Sequence, residues 1–101
     1  MVFLHMDKND PSRQRIPVER VQTGMRMEKR LLKVLKAMAE CHDISLGNLI
    51  EGICLHAFDG KLPFDETGRD RIAKLKEIYE SDLDSSASHR LRDGAEDDAK
   101  P

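Results

Sequence analysis

Residues 21–27 read VQTGMRM, and this short stretch decides the fold that we expect for the chain. Every second residue, from Val21 through Met25 to Met27, belongs to one face of an extended backbone. The residues between them are Gln22, Gly24 and Arg26. This period of two predicts a β-strand.

Two helical patterns follow the strand. Apolar residues recur at helical spacing from Glu28 to about Cys41, and a more regular stripe runs from Leu46 to Phe58. Ser45 can cap the second helix, and Gly60 can end it. A thinner stripe predicts a third helix within residues 66–83. The expected core residues are Leu31, Leu35, Met38, Leu49, Ile50 and Ile53.

A single strand has no partner for its backbone N–H and C=O groups within the chain. Because the chain offers no second strand-like segment, we expect residues 21–27 to pair with the same residues of a second copy. About forty residues of strand and helix bury too little surface alone. The sequence therefore predicts an obligate homodimer.

Composition supports one small, mainly helical domain. The chain has 101 residues, of which 39% are hydrophobic and 4% are aromatic, with no Trp. The net charge of −2 is unevenly placed. Residues 1–36 hold 9 basic and 4 acidic residues, a net +5, whereas residues 37–101 hold 8 and 15, a net −7. A basic front of this kind can attract a polyanion.

The chain divides into four expected parts. Residues 1–20 form a flexible basic arm, which is either a solvated tail or an arm that binds nucleic acid. Residues 21–60 form the dimerisation domain with the strand and the first two helices, and residues 61–83 form a linker and the third helix. Residues 84–101 form a disordered acidic tail, since they are nearly devoid of apolar residues.

The order of these elements resembles the ribbon-helix-helix family of Arc-type and methionine-regulon repressors. The resemblance covers residues 21–58, through QTGMRM, EKRLLKVLKAMAECHD and IS followed by LGNLIEGICLHAF. It implies a mainly α fold in which one short strand pairs across a homodimer, with two core helices and a third C-terminal helix. It also implies that this ribbon enters the DNA major groove.

The resemblance implies two sets of DNA contacts. Base edges would be read at Gln22, Gly24 and Arg26, where an arginine can pair with guanine and a glutamine with adenine. Gly24 departs from the family pattern, because the family usually has a polar or basic side chain there. Phosphates would be held at Lys29, Ser45, Leu46, Gly47 and Asn48, where the start of the second helix meets the DNA backbone.

Other kinds of site are not indicated. Cys41 and Cys54 do not form a disulfide framework, and with His42 and His56 they match no zinc spacing. We expect no cofactor, no metal and no enzymatic activity. A signal peptide and a membrane helix are also not expected, so the sequence predicts a cytoplasmic protein with reduced thiols.

The leading hypothesis is a dimeric DNA-binding transcriptional repressor that acts on double-stranded DNA by occluding a promoter. The alternative is a protein-interaction module, such as an antitoxin, whose C-terminal helix and acidic tail bind a partner protein. A third possibility retains the fold without DNA binding, with the ribbon serving only for dimerisation.

Overall fold

The computed structural model describes residues 15–94 and contains three helices of equal length. They are α1 (Lys29–Cys41), α2 (Leu46–Phe58) and α3 (Glu66–Ile78), followed by a single 3₁₀ turn at Ser85–Ala87. Residues 1–14 of the predicted arm (1–20) and residues 95–101 of the predicted tail (84–101) lie outside the described residues.

The predicted ribbon-helix-helix fold is wrong, because residues 15–94 form no β-strand. Residues 21–27 are neither helix nor strand. The alternation of residues specifies the two faces of a strand but not its hydrogen-bonding partner. A period of two sorts side chains onto two faces, but a strand also needs a second strand to receive its backbone hydrogen bonds. Within residues 15–94 of the single chain, no other segment supplies that strand.

Each helix begins at a side chain that accepts hydrogen bonds from the first turn. Glu28 accepts from the backbone N–H groups of Arg30 and Leu31 at 3.0 and 2.8 Å. Ser45 Oγ accepts from the backbone N–H of Asn48 at 3.1 Å. Asp65 Oδ1 accepts from the backbone N–H of Gly68 at 2.8 Å. Such caps stabilise a helix by about 0.5–2 kcal/mol each.

Two glycines are required by the backbone at helix ends. Gly60 follows α2 with a φ of +70°, and its N–H donates to Ala57 O while that of Lys61 donates to His56 O. Only glycine adopts this left-handed conformation without steric cost. At Gly68 in α3, a Cβ would approach Phe64 Cβ and Asp65 Oδ1 to 3.2 Å each. The start of α3 therefore sits directly on the preceding loop.

The core lies around α1, which packs against both α2 and α3, while no Cα atoms of α2 and α3 lie within 8 Å of each other. Met38, Ala39 and Leu49 form its centre, with Met38 only 1% exposed. Half-buried residues pack around them: Leu35, Ile44, Ile53, Phe64, Ile72 and Leu75. Val34 completes the four buried hydrophobic residues of the described chain.

Four of the six expected core residues are less buried than predicted. Leu31 is exposed, with 42% of its surface accessible, and Leu35, Ile50 and Ile53 are half-buried. Leu35 and Ile53 still pack against the core cluster. The stripe on α2 is more exposed than its regularity suggests, and Leu49 is the one buried residue of that helix.

Candidate nucleic-acid interface

The segment that leads into α1 is fully accessible. Residues 15–26 are all exposed, including Gln22, Gly24 and Arg26, the three positions predicted to contact bases. Because the segment forms no strand, no element of residues 15–94 aligns the three residues on one face. A Cβ at Gly24 would meet no atom of the described residues within 4 Å, so no close approach among them requires glycine there.

One ion pair ties this segment to α2. Arg20 Nη2 and Nε donate to Glu51 Oε1 and Oε2 at 2.8 and 2.9 Å, which is a two-point contact. The hydrogen bond from Arg20 lowers the pKa of the Glu51 carboxyl below its ordinary value. Glu51 is the single acidic residue of α2, so the pair neutralises the negative charge of that helix.

Basic residues continue onto one face of α1. Lys29, Lys33 and Lys36 are exposed and lie at i, i+4 and i+7, which places them on the same side of the helix. The Lys33 ammonium also lies 5.8 Å from the centre of the Tyr79 ring. Because Glu28 accepts from the first-turn amides of α1, those amides are already used by the chain itself. Any anion at this end of α1 would therefore be bound by side chains.

The start of α2 carries the other predicted phosphate contacts. Ser45, Gly47 and Asn48 are exposed, and Leu46 is half-buried. Ser45 Oγ is engaged with the backbone N–H of Asn48, so its role in the structure is that of a helix cap.

The predicted residues fall in two separate places. Arg26 and Lys29 line one surface cavity of about 520 Å³. Asn48 lines a different groove of about 500 Å³ beside α2. Gln22 and Gly24 line neither of these two. Arg26 and Asn48 therefore line different cavities, although Arg20 joins the segment before α1 to α2 through Glu51.

The residues that complete the first cavity were not predicted from the sequence. Leu91, Arg92, Asp93 and Gly94 line it together with the start of α1. Asp93 Oδ2 forms an ion pair with Arg26 Nη2 at 2.7 Å. The one available signal was the opposite charge of the two ends of the chain, which favours their association.

A buried histidine, His42, is among the residues that line the groove beside α2. The groove is lined by His42, Leu49, Gly52, Ile53 and Phe64, among others. His42 is 2% exposed, and its backbone N–H donates to the carbonyls of Met38 and Ala39 at the end of α1. Burial lowers the pKa of His42 below its ordinary 6.5. The positive charge of Arg71 lowers this pKa further, and the negative charge of Asp65 opposes the shift.

Stability should therefore fall as the pH is lowered. A histidine whose pKa is lowered by folding is protonated more readily in the unfolded chain, so its contribution is complete above pH 6.5 and is lost as the pH falls from that value through the lower pKa of the folded state. Urea unfolding at pH 7.5 and 5.5 measures the difference. In His42→Gln the difference should be smaller, whereas an equal pH dependence in both proteins would contradict the assignment.

Both cysteines, Cys41 and Cys54, are exposed free thiols. Residues 15–94 hold no group of three histidine, cysteine or acidic residues placed to bind a metal ion. None of the helices in that range is both long and apolar enough to cross a membrane.

Comparison of the chain with protein-family models, with curated proteins and with solved structures found no match. The resemblance to the ribbon-helix-helix family in residues 21–58 therefore stays a prediction.

Proposed function

We propose that this protein is a cytoplasmic DNA-binding protein that acts as a homodimer and represses transcription by occluding promoter DNA. The observation that carries the proposal is a continuous run of exposed basic side chains. It begins at Arg26 and follows one face of α1 through Lys29, Lys33 and Lys36.

Charge on α1 supports contact with phosphates. The helix contains four basic residues and a single acidic one, Glu40, although the whole chain has a net charge of −2. A basic patch on an otherwise balanced surface is the electrostatic footprint expected of a nucleic-acid-binding protein. Lysines contact phosphates without reading sequence, so α1 would supply affinity. Gln22 and Arg26 are accessible to bases, and their contribution to specificity stays a prediction.

The homodimer is supported by the apolar surface of α2, which we define as Leu46, Ile50, Cys54 and Ala57 with the flanking Phe58. Cys54, Ala57 and Phe58 are exposed, and Phe58 is 84% accessible. Four buried hydrophobic residues make a small core for eighty described residues. A helix that is apolar around most of its circumference is normally buried.

A second copy fits this surface better than a charged partner. Glu51 is the only charged residue of α2 apart from its histidine, and Arg20 neutralises it. A neutral apolar surface can meet its own copy across a two-fold axis without repulsion between like charges. A dimer also doubles the number of basic residues that face one duplex. A stable monomer that binds a different protein through this surface would instead favour the interaction-module hypothesis.

Salt dependence tests the DNA-binding proposal. Affinity for a duplex of random sequence should fall steeply between 50 and 200 mM salt, by about 10³-fold or more if six or more phosphates are neutralised. Lys29→Ala should weaken binding and reduce the slope of log K against log salt, by about 0.9 for each phosphate that is no longer neutralised. Fluorescence anisotropy with labelled DNA measures both quantities.

Lys74→Ala is the matched control, since Lys74 is an exposed lysine on α3. The control should bind DNA as the unaltered protein does. A slope close to zero, or an equal weakening of binding in Lys29→Ala and Lys74→Ala, would contradict the proposed interface.

A further inference from the structure

The C-terminal end of the described chain lies against the start of α1. Asp93 Oδ2 forms an ion pair with Arg26 Nη2 at 2.7 Å, across 67 residues of sequence. Leu91 and Gly94 line the same cavity as Lys29 and Leu31. The acidic side chain of Asp93 is therefore paired with Arg26, the first basic residue of the proposed DNA interface.

Hydrogen bonds hold the residues that follow α3 beside α1 and α3. Arg30 Nη1 donates to the backbone carbonyl of Glu80 at 2.9 Å, which fixes the end of α3 to the first turns of α1. Lys76 Nζ donates to Leu83 O at 2.8 Å, and Arg90 Nη1 donates to Ser86 O at 3.2 Å. The first two hydrogen bonds hold residues 80–83 beside α1 and α3, and the third is a local contact within the following turn. At residues 91–94 the ion pair with Arg26 and the lining of the shared cavity place the chain against the start of α1.

We propose that residues 91–94 are an intramolecular competitor for DNA, with the Asp93 carboxylate held on the Arg26 guanidinium group that DNA would contact. The inference rests on the proposed function, and it names the regulation of the same site. A guanidinium group attracts a carboxylate, a phosphate and the acceptor atoms of a guanine edge alike. The Asp93 carboxylate neutralises Arg26 and repels the phosphates of an approaching duplex, so DNA that contacts Arg26 competes with Asp93.

The exposure of the Arg26–Asp93 ion pair determines how much it can reduce the affinity for DNA. The side chains of Arg26 and Asp93 are 82% and 43% exposed, and exposed ion pairs are weak. A duplex with many phosphates can therefore displace the carboxylate, and the segment reduces affinity without abolishing binding. We expect the reduction to be about two- to fivefold per chain.

Asp93→Asn tests the competition. The variant should bind a random duplex about two- to fivefold more tightly per chain at 50 mM salt, and its salt slope should be steeper because Arg26 is no longer neutralised in the free protein. Asp82→Asn is the matched control, because it removes an exposed carboxylate that does not line the cavity. It should produce a smaller gain.

A double-mutant cycle separates competition from a general reduction of negative charge. In an Arg26→Ala background, Asp93→Asn should produce no further gain beyond that of Asp82→Asn. Without DNA, the Arg26 guanidinium signal in a ¹⁵N NMR spectrum should shift in Asp93→Asn and stay in place in Asp82→Asn.

Each other outcome overturns the inference in a distinguishable way. If the unaltered protein binds DNA and Asp93→Asn binds equally tightly, the competition is absent while the proposed function stands. A gain that persists without Arg26, or an unchanged Arg26 signal, also overturns the competition alone. If neither protein binds DNA, the proposed function and the inference fail together.

Discussion

Met38→Ala is expected to lower the free energy of unfolding by about 2–5 kcal/mol. Met38 is 1% exposed, and it lies in the core cluster with Ala39 and Leu49. Truncation removes buried apolar surface and leaves a cavity that the three helices can fill only in part. Since small domains are stable by about 5–15 kcal/mol, this single change removes a large share of the total.

Met25→Ala is the matched control for this substitution. Met25 is 68% exposed in the segment before α1, so the same truncation there should change stability by no more than about 0.5 kcal/mol. Urea unfolding followed by circular dichroism measures both proteins at one chain concentration. Equal destabilisation by the two variants would show that Met38 is not the centre of the core.

Ala57→Glu is expected to dissociate the proposed homodimer. Ala57 is exposed in the single chain, so the substitution leaves the contacts between the helices of one chain in place. In a symmetric dimer it would bury two unpaired carboxylates, and an uncompensated buried charge costs about 3–5 kcal/mol. Since each dimer would bury two such charges, we expect its dissociation constant to rise by about 10⁴-fold or more.

Sedimentation equilibrium measures the dissociation, and circular dichroism confirms that the helices are retained. Ala73→Glu is the control, because it makes the same change at an exposed alanine of α3. It should leave the dimer intact. If Ala57→Glu sediments as the unaltered protein does, the apolar surface of α2 is not the dimer interface.

Local patterns predicted the helices well, because a helix satisfies its hydrogen bonds within one segment. The spacing of apolar residues placed helices near Lys29–Cys41 and Leu46–Phe58, and the structure has helices with those bounds. Ser45 was identified as a cap from its side chain alone, and its Oγ accepts the expected hydrogen bond. Both features depend on residues three or four positions apart.

Features that depend on distant residues were predicted poorly. The alternation in residues 21–27 suggested a strand, but pairing requires a second strand, and residues 15–94 contain none. Leu31 belongs to the apolar stripe of α1 and is nevertheless exposed, because periodicity does not specify how much of a stripe the other helices cover. The contact between Arg26 and Asp93 joins residues 67 positions apart, so no local pattern could locate it.

The mass of the protein–DNA complex tests the central proposal most directly. Native mass spectrometry of the full chain with a short duplex at low salt measures how many copies bind one duplex. We predict two chains per duplex, with the complex dissociating as salt is raised because phosphate contacts supply the affinity. A complex with one chain per duplex, or no complex at low salt, would contradict the account.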